Sequence, residues 1–175
     1  QLSSLRLTFG EHLLSETNRF RLEIEDRSDL EGLPKNCIET AKILAKKEGK
    51  RGWLFTLDYP SYVPFMTYAK NRALRKKMAL AFGKKGFQND AFDNQLLLLK
   101  IVKLRHQRAR LLGYKTHADY VLEERMAKSP ETVLSFLEDF KSKAMPAARR
   151  EFSELSKFAK ELDGIETLQK WDSAY

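Results

Sequence analysis

The sequence predicts a mainly α-helical protein: a multi-helix array with one small two-stranded β element near the N-terminus. Two observations carry this. Apolar residues recur at spacings of three and four through most of the chain, the repeat of an amphipathic helix. Two short stretches break that repeat, and both are strand-like. Phe20, Leu22 and Ile24 alternate with Arg21, Glu23 and Glu25, and Trp53 to Leu57 is a run of β-favouring residues.

In chain order, Leu2, Leu5, Phe9 and Leu13 mark the first helix. Gln1 offers it no cap, so the chain is expected to begin inside a helix. The strand over Phe20–Glu25 follows, then the turn DLEGLP. Pro34 opens a helix carrying Ile38, Ala41, Ile43, Leu44 and Ala45, and Gly49 is its stop. The Trp53–Leu57 strand is expected to pair with the first; a helix between them permits either direction. Asp58-Tyr59-Pro60 reads as a turn, and Ser61–Ala69 as a short helix with Pro64 in its first turn, where no amide bond is lost.

Asn71 caps the next helix, which ends near Gly83 and Gly86. Leu98, Ile101, Val102, Ala109 and Leu112 share one helical face, stopped at Gly113. A short helix covers Thr116–Arg125. Ser129 then caps a long helix with Pro130 in its first turn. Its stripe of Val133, Leu137, Phe140, Ala144, Phe152, Leu155, Ala159 and Leu162 runs to Gly164, roughly 50 Å at 1.5 Å per residue. Pro146 is expected to kink it. No internal repeat or low-complexity segment appears, so residues 1–175 are expected to form a single helical unit.

The composition is that of a folded globular chain, with 42% hydrophobic and 32% charged residues. No apolar run approaches the length of a membrane span. Gln1-Leu2-Ser3-Ser4 does not read as a signal peptide. The expectation is a cytoplasmic protein, or a periplasmic one if an upstream leader has been removed. Cys37 is the only cysteine, which excludes an internal disulfide or a cysteine-based zinc cluster; it is expected to be buried or half-buried.

The net charge of +8 is local: residues 70–115 hold 13 Lys or Arg against 2 acids. Such a stretch can meet nucleic acid or an acidic partner. The charges on the second of its helices spread over more than half the circumference, whereas a phosphate-tracking surface wants clustering and stacking aromatics. The plainer reading is the solvated faces of two helices.

The motifs of chemistry are missing. His12, His106 and His117 begin no HExxH, and no two lie a helical turn apart. There is no GxSxG elbow and no phosphate-binding glycine loop. Glu123-Glu124 and Glu138-Asp139 are helix neighbours that point apart, so they read as solvated faces.

Two long strings nonetheless have specific counterparts. GWLFTLDYPSYVPFMTYAKNRALRKKM (residues 52–78) resembles the N-terminal half of the zinc peptidases related to thimet oligopeptidase and oligopeptidase A, with the nearest likeness to the bacterial peptidyl-dipeptidase branch. LLGYKTHADYVLEERMAKSPETVLSFL (111–137) is a second such string, and WDSAY (171–175) is similar to the Trp-Asp-x-x-Tyr that follows the long helix in that family.

The resemblance implies a large, almost wholly helical, two-lobed enzyme with a deep channel. Zinc is held there by two His of an HExxH and a downstream Glu. The Glu of that motif activates the zinc-bound water, and a Tyr stabilises the oxyanion. Substrates are short unstructured peptides, and the peptidyl-dipeptidase branch removes C-terminal dipeptides.

This sequence contains no HExxH, so the resemblance assigns no catalytic and no metal residue here. It implies a non-catalytic N-terminal part that shapes the channel wall, is inactive alone and has the catalytic half as its partner. Zinc and peptide substrates are expected of the parent protein. The family alternative is a stand-alone helical module that binds nucleic acid or an acidic partner through residues 70–115. Trp53, Phe55 and Phe65 are expected in the core, while Tyr59, Tyr62 and Tyr68 stay unassigned as substrate contacts. One part of a larger protein is also expected to expose more apolar surface than a typical monomer.

Overall fold

Leu22 and Phe55 face each other across a two-stranded antiparallel ladder formed by β1 (Leu22–Ile24) and β2 (Trp53–Phe55). The register continues as Glu23 opposite Leu54 and Ile24 opposite Trp53. This settles the direction that the sequence left open. Both strands are shorter than the stretches that predicted them. Phe20 and Arg21 lie outside the ladder, as do Thr56 and Leu57.

The computed structural model describes residues 1–175, which fall into two units: residues 4–97 with 169–175, and residues 98–168 with 1–3. The larger unit holds α1 (Leu2–Arg19) from Ser4 onward, β1, a 3-10 turn (Arg27–Leu30), α2 (Lys35–Lys47), β2, α3 (Tyr59–Tyr68) and α4 (Arg72–Gly83). Its core gathers Leu22, Ile24, Leu30, Leu33, Ala41, Phe55, Leu57, Phe65, Met66, Ala69, Met78 and Ala79. Phe55 and Phe65 meet edge to face with centroids 4.8 Å apart. Trp53 packs against this cluster only in part. On α2, Ala41 and Ala45 turn inward while Ile43 faces out.

Local chemistry explains the boundaries. Asp26 accepts from the Ser28 amide and starts the 3-10 turn. α3 begins two residues earlier than the pattern suggested, because the Asp58 carbonyl accepts the amides of Ser61 and Tyr62. Pro60 thus occupies the first turn, and Pro64 lies in the helix interior. Asn94, almost fully buried, ties α1 down by donating to the Phe9 carbonyl at 3.2 Å and bonding His12 Nδ1 at 2.9 Å.

The second unit contains α5 (Gln95–Leu111) from Leu98 onward, α6 (His117–Leu122) and α7 (Pro130–Asp163). A Thr116–Asp119 capping box starts α6. Ser129 accepts from the Thr132 amide to start α7, and Gly164, at φ 67°, closes it in the left-handed region. α7 is assigned as one continuous helix through Pro146. Its apolar stripe is real but almost entirely uncovered: Phe140 is 61% exposed and Phe152 60%, and only Ala159 is buried. On α5, Ile101 and Ala109 are buried, whereas Leu98, Val102 and, just past its end, Leu112 are half-exposed.

Two truncations separate core from surface. Phe65→Ala is expected to cost about 3–5 kcal/mol, whereas Phe140→Ala should stay within about 0.5 kcal/mol. Urea denaturation of both variants checks this contrast.

Candidate functional site

Ala69-Lys70-Asn71-Arg72-Ala73-Leu74-Arg75 turns the chain from α3 into α4, and three segments converge on this elbow. Asn71 caps α4 by accepting from the Leu74 amide at 3.1 Å, and its amide nitrogen donates to Asp29 at 2.7 Å. The Lys70 amide donates to the Glu31 carbonyl at 2.9 Å. Gly32 sits against the same backbone, where a Cβ would fall 2.1 Å from the Tyr68 carbonyl oxygen; its φ of +88° also favours glycine. Arg72 and Arg75, one helical turn apart, share a face of α4.

Asp172 answers both arginines. Arg72 donates Nε to Oδ1 at 2.9 Å and Nη2 to Oδ2 at 2.8 Å, a bidentate fork. Arg75 Nη2 donates to Oδ1 at 3.3 Å, and the Gln169 amide donates to Oδ2 at 2.9 Å. Arg75 has further acceptors in the carbonyls of Trp171 (3.0 Å), Ala69 (2.7 Å) and Lys70 (3.2 Å). Its guanidinium lies 3.8 Å from the Tyr175 ring centroid. The Trp171 ring takes Lys76 at 5.3 Å and Arg72 at 6.0 Å.

The Arg75 and Asp172 side chains are each only 1% exposed, so these charges are tolerated because they are paired and hydrogen-bonded. Burial pushes the Asp172 carboxyl up. The hydrogen bond from Arg72, the Gln169 amide and the Arg75 guanidinium outweigh it and hold the carboxyl below the usual carboxylate range.

The basic stretch is mostly the solvated faces that the sequence suggested, with Arg75 as the buried exception. Arg72 pairs with Asp172 and Lys70 with Glu31 while both stay exposed. Lys85 hydrogen-bonds Thr17 at 3.2 Å and lies 3.9 Å over the Phe82 ring, while Arg108 lies 5.0 Å over Tyr120. Sequence reasoning missed this triad of Arg72, Arg75 and Asp172: the two arginines are a local pair at i and i+3, but their acceptor lies 100 residues beyond Arg72.

The other groups weighed from sequence have surroundings of their own. Tyr62 stacks on Phe82 at 4.3 Å, and Tyr59 (71% exposed) meets the same ring edge-on. Tyr68 is half-exposed. His106 is exposed, and His117 is partly buried, with burial and then Arg105 and Arg108 lowering its pKa. Glu138 pairs with Lys141 and Asp139 with Lys143 along α7, as solvated helix faces do.

A groove of about 420 Å³ between α2 and the β2–α3 loop is lined by Cys37, Thr40, Phe55, Asp58 and Ser61. Asp58 and Ser61 are engaged by Thr56, each at 3.0 Å, and burial raises the Cys37 thiol. No group of three His, Cys, Asp or Glu side chains in residues 1–175 is placed to hold a metal ion.

A sequence model of peptidase family M3 matches residues 65–175, a span that includes the elbow, both arginines and Asp172. The chain belongs to peptidase family M3. It is 37% identical to oligopeptidase A of Salmonella typhimurium and 33% identical to the probable cytosolic oligopeptidase A of Arabidopsis thaliana. It is 27% identical to dipeptidyl carboxypeptidase of Escherichia coli. Each match covers 100% of this chain and 26% of the relative, so the chain spans about a quarter of the length of these relatives. No helix is long and apolar enough to cross a membrane.

Removing Asp172 leaves Arg75 buried without its counter-charge. Asp172→Ala is expected to cost about 3–5 kcal/mol, and truncating the more exposed Arg72 should cost less. The pH dependence follows from the lowered carboxyl. Its contribution is fully present above the ordinary carboxylate pKa of about 3.9 and is lost as pH falls through the lower folded value. Acid denaturation should therefore lose this component in Asp172→Asn while the wild type keeps it.

Proposed function

We propose that the polypeptide to which this chain belongs is a zinc metallopeptidase of oligopeptidase type acting on short, unstructured peptides. In this reading residues 1–175 help wall the substrate channel and supply no catalytic group. The observation that carries it is the match to oligopeptidase A across 100% of the chain at 37% identity. The lower identity to dipeptidyl carboxypeptidase makes release of C-terminal dipeptides the second mode of action.

The family's zinc has no fitting ligand set among these residues, so nothing here is assigned to it. It belongs with the catalytic half, the partner of this part. The uncovered apolar face of α7 agrees with a chain that meets further protein. Nucleic-acid binding through residues 70–115 is the weaker rival, because Arg75 is buried and Arg72 is already paired with Asp172.

The natural protein carrying this chain should cleave short fluorogenic peptides, lose activity on chelation and regain it with zinc. Residues 1–175 alone should cleave nothing. A zinc-loaded natural protein that leaves such peptides intact overturns the peptidase reading, and salt-sensitive nucleic-acid binding would favour the rival. The isolated chain is also expected to bind apolar dyes and to associate; a clean monomer that ignores the dye contradicts the channel-wall reading.

A further inference from the structure

Arg105 and Arg108 stand one helical turn apart on α5, and His117 begins α6; all three belong to the unit of residues 98–168. The Arg108 guanidinium lies 5.0 Å over the Tyr120 ring, and the His117 ring centroid is 6.2 Å from that same ring. Tyr114 meets Tyr120 edge-on at 5.3 Å. Tyr120 is thus the post around which a guanidinium and an imidazole gather, with the half-buried Arg105 close enough to act on the imidazole.

These groups have no acidic partner. The ion pairs of this unit belong to Lys141, Lys143 and Lys160, on α7. On α6, Asp119 is taken up in the capping box with Thr116, and just past its end Glu123 accepts from the Tyr114 hydroxyl. No carboxylate acts on His117. Burial comes first in lowering its pKa, and Arg105 and Arg108 lower it further. Its Nδ1 is enclosed and has no hydrogen-bond partner. A buried polar atom without a partner is costly, and so is positive charge gathered without a counter-charge. One oxyanion corrects both: it offers acceptors to the guanidinium donors and favours the protonated imidazole. Groups gathered round a single ring suit one anion, not the extended track that a nucleic-acid backbone needs.

We propose that Arg105, Arg108 and His117 form an anion-binding site between α5 and α6 that takes the carboxylate or phosphate group of a small ligand. The site does not depend on the peptidase reading, and its test needs no catalysis.

Titration calorimetry on the natural protein carrying this chain tests it. The probes are inorganic phosphate and, separately, acetate, each in two buffers of different protonation heat at about pH 6.5. The wild type should bind and take up a proton, because an anion beside His117 raises the pKa that burial and the arginines lower. Arg108→Gln changes an exposed side chain and should weaken this binding about tenfold; Arg105→Gln should do the same. His117→Gln should still bind the anion but lose the proton uptake. Anions held elsewhere in the protein are common to wild type and variants and cancel in the comparison. Preference for phosphate assigns a phosphorylated ligand, and preference for acetate a carboxylate. A wild type that takes up no proton overturns the proposal, as do binding and proton uptake that are the same in all three variants as in the wild type.

Discussion

A guanidinium buried to 1% exposure constrains everything around it. A guanidinium offers five N–H donors and no acceptor, so a buried one must find acceptors inside the fold. Arg75 finds them on two separate segments, the elbow carbonyls of Ala69 and Lys70 and, on residues 169–175, Asp172 and Trp171. Satisfying this one side chain fixes how α3 turns into α4 and brings residues nearly one hundred positions downstream back to that turn. Asp29, Glu31 and Gly32 brace the elbow from the opposite side of the sequence. The larger unit is therefore pinned by polar geometry at its elbow and by apolar packing at its ladder. These are different forces with different sensitivities: the first weakens in acid, the second when side-chain volume is removed.

The second unit obeys another rule. α7 has the amphipathic pattern of a helix meant to be covered, yet Phe140, Phe152 and Leu162 remain largely exposed. A helix of this length is not sustained by propensity alone, and most helical stability comes from packing of the apolar face. On the channel-wall proposal, this face is where further protein would pack.

Much of the fold was legible because its signals are local. Asn71, Ser129, Gly164 and the Thr116 cap act through bonds within a few residues, and the pattern placed each helix they bound. The ladder's existence was legible from alternation; its antiparallel direction was not, because a helix separates the strands. The start of α3 was misplaced because two prolines competed for the first turn. The triad was the larger omission. Composition counts Arg72 and Arg75 as surface charge, and their acceptor lies about one hundred residues away, where no helical or strand period reaches. The same limit applies to α7: periodicity reveals an apolar face, while its cover depends on contacts outside any local window. Family membership was legible from the long ordered strings, yet the residues that hold the elbow together emerged only from the coordinates.

The central claim is that charge pairing between Arg75 and Asp172 joins the elbow to residues 169–175. A double-mutant cycle measures this directly: urea stability of wild type, Arg75→Met, Asp172→Leu and the double variant. Each single change strands a buried charge, whereas the double change removes both, so the two losses should fall well short of adding. A coupling energy of about 2–3 kcal/mol is the expected result. Additive losses, with no coupling beyond error, would show that the two side chains are merely neighbours and that something else holds residues 169–175 to the elbow.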